Sequence, residues 1–157
     1  MALDYEGAVR RAIQVSADAR AHGNHPFGAI LLAPDGTIAL EAENTVTTGD
    51  DVTNHAETNL VRLAWRAIPH DELPDYTLVT SCEPCAMCAG AIYWSGIDTV
   101  VFGLSESGLL ALTGNHPDNS TMSLPCRQVF AAGGREVTVV GPLLEDEAAE
   151  HHRDFWD

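Results

Sequence analysis

Four side chains in this sequence have the types and spacing to do chemistry together: His55 and Glu57 in His55-Ala56-Glu57, and Cys85 and Cys88 in Pro84-Cys85-Ala86-Met87-Cys88. The two cysteines are three apart, so a helix beginning after Pro84 sends both sulfurs from one face of its first turn, where they can grip one ion. Proline suits a helix start, and the positive end of the helix dipole lowers the cost of the thiolates that metal binding requires. His55 follows the polar run Asp50-Asp51-Val52-Thr53-Asn54 and precedes an apolar periodic stretch, which places it at a second helix N-terminus with Asn54 as the expected cap. One His and two Cys form the open ligand set of a catalytic zinc, one ion per chain, with water in the fourth position. Glu57, two residues beyond His55, is placed to reach that water and carry protons, not to ligate. A closed structural site with Cys82 or another His as fourth ligand, or a reduced cysteine cluster without metal, explains neither Glu57 nor the proline.

The elements around these residues follow from periodicity and turn chemistry. Asp4 to Ala21 reads as an amphipathic helix with Ala8, Val9, Ala12, Ile13, Ser16 and Ala19 on one face, stopped by His22-Gly23-Asn24. Phe27 to Ala33 and Thr37 to Glu43 read as a hairpin about Pro34-Asp35-Gly36. His55 to Ile68 is the next helix, with Leu60, Leu63, Ala64 and Ile68 inward and Pro69 ending it. A strand over Tyr76 to Ser81 runs into the cysteine helix, Cys85 to about Trp94, with Trp94 assigned to the core, and Thr99 to Gly103 follows as a parallel strand. Ser105 to Ser123 shows little periodicity and reads as a long loop forming one wall of a pocket. Leu124 to Ala132 (helix), Glu136 to Gly141 (strand) and Leu144 to Trp156 (helix) complete the expectation. The fold class expected is α/β, a three-layer sandwich with a central five-stranded mixed sheet and helices on both faces, organised as a single domain over residues 1–157.

Composition narrows the partners. The net charge is −15, from 23 acidic against 8 basic side chains with no Lys at all, so a polyanion is repelled and a nucleic-acid partner is disfavoured relative to a small neutral substrate. The stretch from Met1 to Ala21 carries Asp4, Glu6, Arg10, Arg11 and Asp18 and does not read as a signal peptide, and no stretch is apolar enough to span a membrane. Four cysteines, two in the Cys-x-x-Cys pair, fit a reducing cytoplasm, with Cys82 and Cys126 expected as buried free thiols.

His-x-Glu followed by Pro-Cys-x-x-Cys is the signature of the zinc deaminases of nucleobases. On it, and on Pro26-Phe27-Gly28-Ala29, the run Asn44-Thr45-Val46-Thr47-Thr48, the segment Thr80 to Trp94 and the ending Phe155-Trp156, the chain resembles the cytidine deaminase-like superfamily, and bacterial guanine deaminases most. Transfer RNA adenosine deaminases share the zinc motifs but usually carry a smaller residue at the position of Phe27 and a more basic end. The resemblance implies that Phe27 stacks on the base and Asn44 bonds its edge, and that a second carboxylate holds the substrate, with Asp118 the nearest match and His116 and Glu145 as rivals. It also implies a homodimer, with exchange of C-terminal segments between subunits as one form. The reaction implied is hydrolytic deamination, guanine to xanthine and ammonia first, a nucleoside such as guanosine or cytidine next. In it Glu57 moves protons from water to ring nitrogen and departing amine, and the backbone N–H groups of Ala56 and Cys85 steady the tetrahedral centre.

Overall fold

A computed structural model describes residues 2–157. Its first helix, α1 (Tyr5–Ala21), starts where Asp4 accepts a hydrogen bond from the Gly7 N–H at 2.9 Å and stops at His22, with Gly23 beyond it in the left-handed region at φ +92°. Strands β1 (Gly28–Leu32) and β2 (Ile38–Glu43) form the expected hairpin. Helix α2 (Ala56–Ala67), strand β3 (Thr77–Cys82), helix α3 (Ala86–Ser95) and strand β4 (Thr99–Leu104) then follow in the expected order. The sheet order is β2-β1-β3-β4 and then β5 (Thr138–Val140), with β1 antiparallel to both neighbours and β3, β4 and β5 parallel.

Alternation along the strands builds two cores and hence three layers. Ile30, Leu32, Val79 and Val101 face the α1 side with Val9, Ala12 and Ala148, while Ala29, Leu31, Leu78, Val100 and Phe102 face the side of α2 and α3 with Leu60, Ala64 and Ile92. Every residue of β1 and β3 is buried, as expected for central strands covered on both faces. Gly28 is what lets α1 lie so close: a Cβ there would come within 2.5 Å of the Ser16 N and 2.6 Å of the Ala12 O.

Several expectations are corrected. Ser105 to Ser123 is not a plain loop, because Glu106–Thr113 forms helix α4, capped by Ser105, whose hydroxyl accepts from the Gly108 N–H. Gly108 and the mixed polar residues hid its periodicity. Helix α5 is only Cys126–Ala131. The terminal helix is a short α6 (Glu145–Ala149) tightening into a 3₁₀ turn at Glu150–His152, after which Phe155 and Trp156 fold back onto His25. Leu63 is exposed on α2, and Trp94, assigned to the core, is 81% exposed. Helix α3 is apolar on every side, so its sequence could not say which face lay outward.

Candidate active site

The N-termini of α2 and α3 meet at one end of β3. His55 and Cys85 occupy the two N-cap positions in extended backbone, and neither side chain caps its helix. Asn54, the expected cap, instead reaches back to the Thr45 carbonyl at 3.5 Å and helps close the 44–54 loop. The ring and the sulfurs are thereby free to converge. Nδ1 of His55 is 3.5 Å from the Cys85 sulfur and 3.6 Å from that of Cys88, and the three ligand atoms all lie within 4.8 Å of one another. Two sulfurs and one nitrogen so disposed fit one tetrahedral zinc with a fourth position open, and the Thr58 hydroxyl, 3.2 Å from the Cys88 sulfur, supplies an outer partner.

The protons of this cluster are shared unevenly. The Cys85 thiol is pushed down to about 4, first by the hydrogen bond from Cys88 and then by His55, while Cys88 is pushed up by holding the shared proton and by burial. His55 is raised by its hydrogen bond to Cys85.

Glu57 does not join the ligand cluster. It is 5% exposed, and its Oε1 lies 2.9 Å from the Thr80 hydroxyl in the middle of β3. Burial raises its carboxyl above the ordinary carboxylate range, the direction that brings a proton carrier toward neutral pH.

A cavity of about 300 Å³ opens onto these groups. Of the residues expected there, Phe27, Asn44, His55, Glu57, Cys85 and Asp118 line it. Phe27 and Asn44 are held side by side by the bond from the Asn44 N–H to the Phe27 carbonyl (3.0 Å), and the Asn44 Oδ1 accepts from the Val46 N–H (3.0 Å), which leaves the amide N–H₂ as its uncommitted end. The ring of Phe27 packs edge-on against His152 at 5.1 Å between centroids. Ala56 is fully buried at the first position of α2, where its N–H is one of the helix's orphan donors, but it is not among the cavity-lining residues. Asp118 is exposed at the rim. Its rivals lie outside the lining: His116 packs on Trp156 at 5.8 Å, and Glu145 accepts from the Ser105 N–H and hydroxyl.

Sequence reasoning missed His25, Met87, Leu109 and above all Glu106, which also line the cavity. Glu106 is 6% exposed, its Oε2 has no hydrogen-bond partner among the described residues, and its carboxyl is pushed up to about 8, chiefly by burial and then by the charges of Cys85, Glu83 and Glu57. No motif marks it; its only sequence signal is an acid just past a strand end that leads out of a metal motif.

The family model of the cytidine and deoxycytidylate deaminase zinc-binding region matches residues 4–104. The chain belongs to that family. Among curated relatives of this deaminase, the probable cytosine deaminase of Schizosaccharomyces pombe is 44% identical over 149 residues, covering 95% of this chain and 90% of that protein. The guanine deaminase of Bacillus subtilis is 42% identical over 106 residues, 67% of each. In three dimensions the chain is similar to a crystal structure of an NE0047 mutant in complex with 8-azaguanine, with a TM-score of 0.81 and 26% identity, covering 95% of this chain and 82% of that one. The protein is thus a zinc-binding deaminase of a nucleobase or nucleoside, and His55, Cys85 and Cys88 form a group able to bind one metal.

Proposed function

We propose that the enzyme hydrolytically deaminates a free purine base, guanine first, to the oxo base and ammonia. The observation that carries this reading is the cavity itself, which Glu57, the aromatic ring of Phe27 and Asn44, with the N–H₂ end of its amide uncommitted, line together with the ligand candidates His55 and Cys85. The likeness over 95% of the chain to a structure holding 8-azaguanine supports it.

When bound, zinc lowers the pKa of water in its open position toward neutrality. Glu57, buried and steadied by Thr80, would take one proton from water and give it to the ring nitrogen beside the amino-bearing carbon as the hydroxyl adds to that carbon, then take the proton of the added hydroxyl and give it to the amine, so that the C–N bond breaks, the carbonyl forms and ammonia leaves. Phe27 offers its face to a flat ring, the Asn44 N–H₂ donates to an acceptor on the ring edge, and Asp118 marks the rim of the same cavity. The buried N–H at Ala56 stands at a helix N-terminus, where developing negative charge is favoured.

Cytosine is the second reading, because the match to the S. pombe protein spans nearly the whole chain, whereas the family model ends at Leu104, before Glu106 and the 118–122 wall. The deciding experiment is ammonia release from guanine, cytosine, adenine, guanosine, cytidine and an RNA hairpin in parallel. Guanine is expected to lead; a nucleoside or the hairpin turned over faster than every free base would overturn the free-base reading, and cytosine ahead of guanine would replace the substrate within it.

The exposed face of α3 supports a homodimer. Met87, Gly90 and Trp94 fall one and two turns apart on one face, with Trp94 81% and Met87 39% exposed. Sedimentation equilibrium of wild type and Trp94→Glu tests it, with a shift of the variant to monomer expected. The four unpaired cysteines suit a reducing compartment, which supports a cytoplasmic location.

A further inference from the structure

Glu106 is buried, lines the cavity and has a carboxyl oxygen with no partner among the described residues. A buried acceptor left unpaired is costly, and in a finished site it is commonly the ligand that completes it. It is not a metal ligand, since the ligand cluster comprises His55, Cys85 and Cys88 alone. Nor is it loosely held. Its backbone N–H donates to Glu83 Oε1 at 3.0 Å, Glu83 Oε2 accepts from the Cys126 N–H at 2.8 Å, and the preceding Ser105 is fixed by Glu145 through two bonds of 3.1 and 2.9 Å. An unpaired acceptor on a rigidly supported helix start is built as a binding group is built.

Its side of the site matters. In the sheet, β3 lies between β1 and β4. Glu57 comes from α2 and bonds to Thr80 of β3, whereas Glu106 comes from the first turn of α4, directly after β4. The two carboxyls therefore reach the metal end of the cavity from opposite sides of β3. A base with its amino-bearing carbon at that end turns one ring neighbour to each. In guanine and isocytosine the neighbours are a bare nitrogen and a ring N–H; in cytosine they are a bare nitrogen and a C–H. Glu57 requires the bare nitrogen, because it delivers a proton there. The remaining neighbour then either satisfies Glu106 or leaves it unpaired.

We propose that Glu106 is a specificity-determining residue that accepts a hydrogen bond from the ring N–H beside the amino-bearing carbon, so that the site selects 2-amino-4-oxo rings, guanine and isocytosine, over the 4-aminopyrimidine cytosine. The inference rests on the free-base reading above. A carboxyl oxygen keeps an acceptor lone pair whether or not its partner oxygen carries a proton, so the contact exists in either state of the group.

The test compares kcat/KM of the zinc-loaded wild type, Glu106→Ala and Glu106→Gln on guanine, 1-methylguanine, isocytosine and cytosine, with zinc content and melting temperature as controls of integrity. The wild type is expected to prefer guanine over its 1-methyl analogue, and isocytosine over cytosine, by roughly 10–100-fold, the range for leaving a buried acceptor unpaired. Glu106→Ala is expected to lose both preferences, with a larger loss on guanine and isocytosine than on 1-methylguanine and cytosine, and Glu106→Gln, which keeps a carbonyl acceptor, to retain part of them. Calorimetric binding of 8-azaguanine should weaken by a similar factor in Glu106→Ala. Equal losses on all four substrates, or unchanged discrimination in Glu106→Ala, would overturn the proposal. If neither variant folds, the wild-type comparison alone decides it, since indifference to 1-methylation would sink it. Absence of ammonia from every base is a separate result, visible in the wild type, and it would remove the free-base reading beneath the proposal.

Discussion

The two ends of the cavity are made differently. The metal end draws His55, Glu57, Cys85 and Cys88 from two short segments, each at a helix start beside a central strand buried on both faces. The far wall gathers His25, Phe27, Leu109 and the 118–122 segment from separate parts of the chain, backed by His152 and Trp156. Chemistry that depends on ligand spacing can be set by local backbone, because cap positions and i, i+3 geometry fix where the side chains go. Selection among rings depends on surfaces that only tertiary packing brings together. The metal end should therefore fail completely and locally when altered, and the wall gradually.

Cys85→Ala is the strongest break at the metal end. It removes one of three ligands, so the purified protein should lose most of its zinc and all measurable turnover. Full zinc by metal analysis would contradict the ligand assignment. Glu57→Gln separates metal from proton transfer within the same end: zinc and melting temperature should be kept while kcat falls by about 10²–10⁴-fold, the usual worth of a positioned general acid/base. A variant with a tenth of wild-type turnover would show that the carboxylate is not the proton carrier.

The contrast also explains what could be read from the residues alone. His55, Glu57, Cys85 and Cys88 were legible because their spacing carries the chemistry whatever surrounds it. The order of elements along the chain was legible for the same local reason, since apolar runs bounded by turn residues mark the strands. Asn54 was misassigned because a cap preference says nothing of a competing bond, here to the Thr45 carbonyl. Trp94 was misassigned because α3 is apolar on all sides, and outward and inward faces differ only in what packs on them. Helix α4, and Glu106 with it, was hidden because its stability comes from partners far away in sequence, Glu83 and Glu145, that hold its first turn.

Acid should reveal the wall's dependence on packing. His152 is 2% exposed, accepts from the Trp156 indole N–H, and packs against Phe27, and burial depresses its imidazole from 6.5 to about 4. The native state holds it neutral, so the unfolded chain binds more protons between those values. Its favourable effect is complete above about pH 6.5 and is lost as the pH falls through that window toward 4. The linked loss amounts to about 3 kcal/mol. Urea unfolding of wild type and His152→Phe at pH 7 and pH 5 checks it: the stability difference between the two proteins should shift in favour of the variant at the lower pH, and a constant difference would mean that His152 is not the titrating group.

The smallest effect is expected at Asp118, and it sharpens the comparison most. Resemblance to relatives suggests a carboxylate in this part of the chain as a substrate contact, yet Asp118 is exposed at the rim, and its loop is positioned by a bond from its backbone N–H to His116 Nδ1 at 3.0 Å, which does not use the carboxylate. Its charge acts on His25 across the cavity, where it opposes the lowering of that imidazole by burial. An exposed carboxylate in water contributes little to binding, because solvent and salt screen it and side-chain ordering costs about as much as the contact gains. Asp118→Asn, which keeps the shape, should therefore raise KM for guanine by no more than about threefold at 0.15 M salt and leave kcat and melting temperature unchanged, corresponding to less than about 1 kcal/mol. Glu106→Ala, measured beside it, should cost at least tenfold on guanine. A loss of 100-fold or more in Asp118→Asn, with Glu106→Ala near wild type, would reverse the two assignments and place the substrate's second carboxylate on the exposed rim instead of the buried helix start.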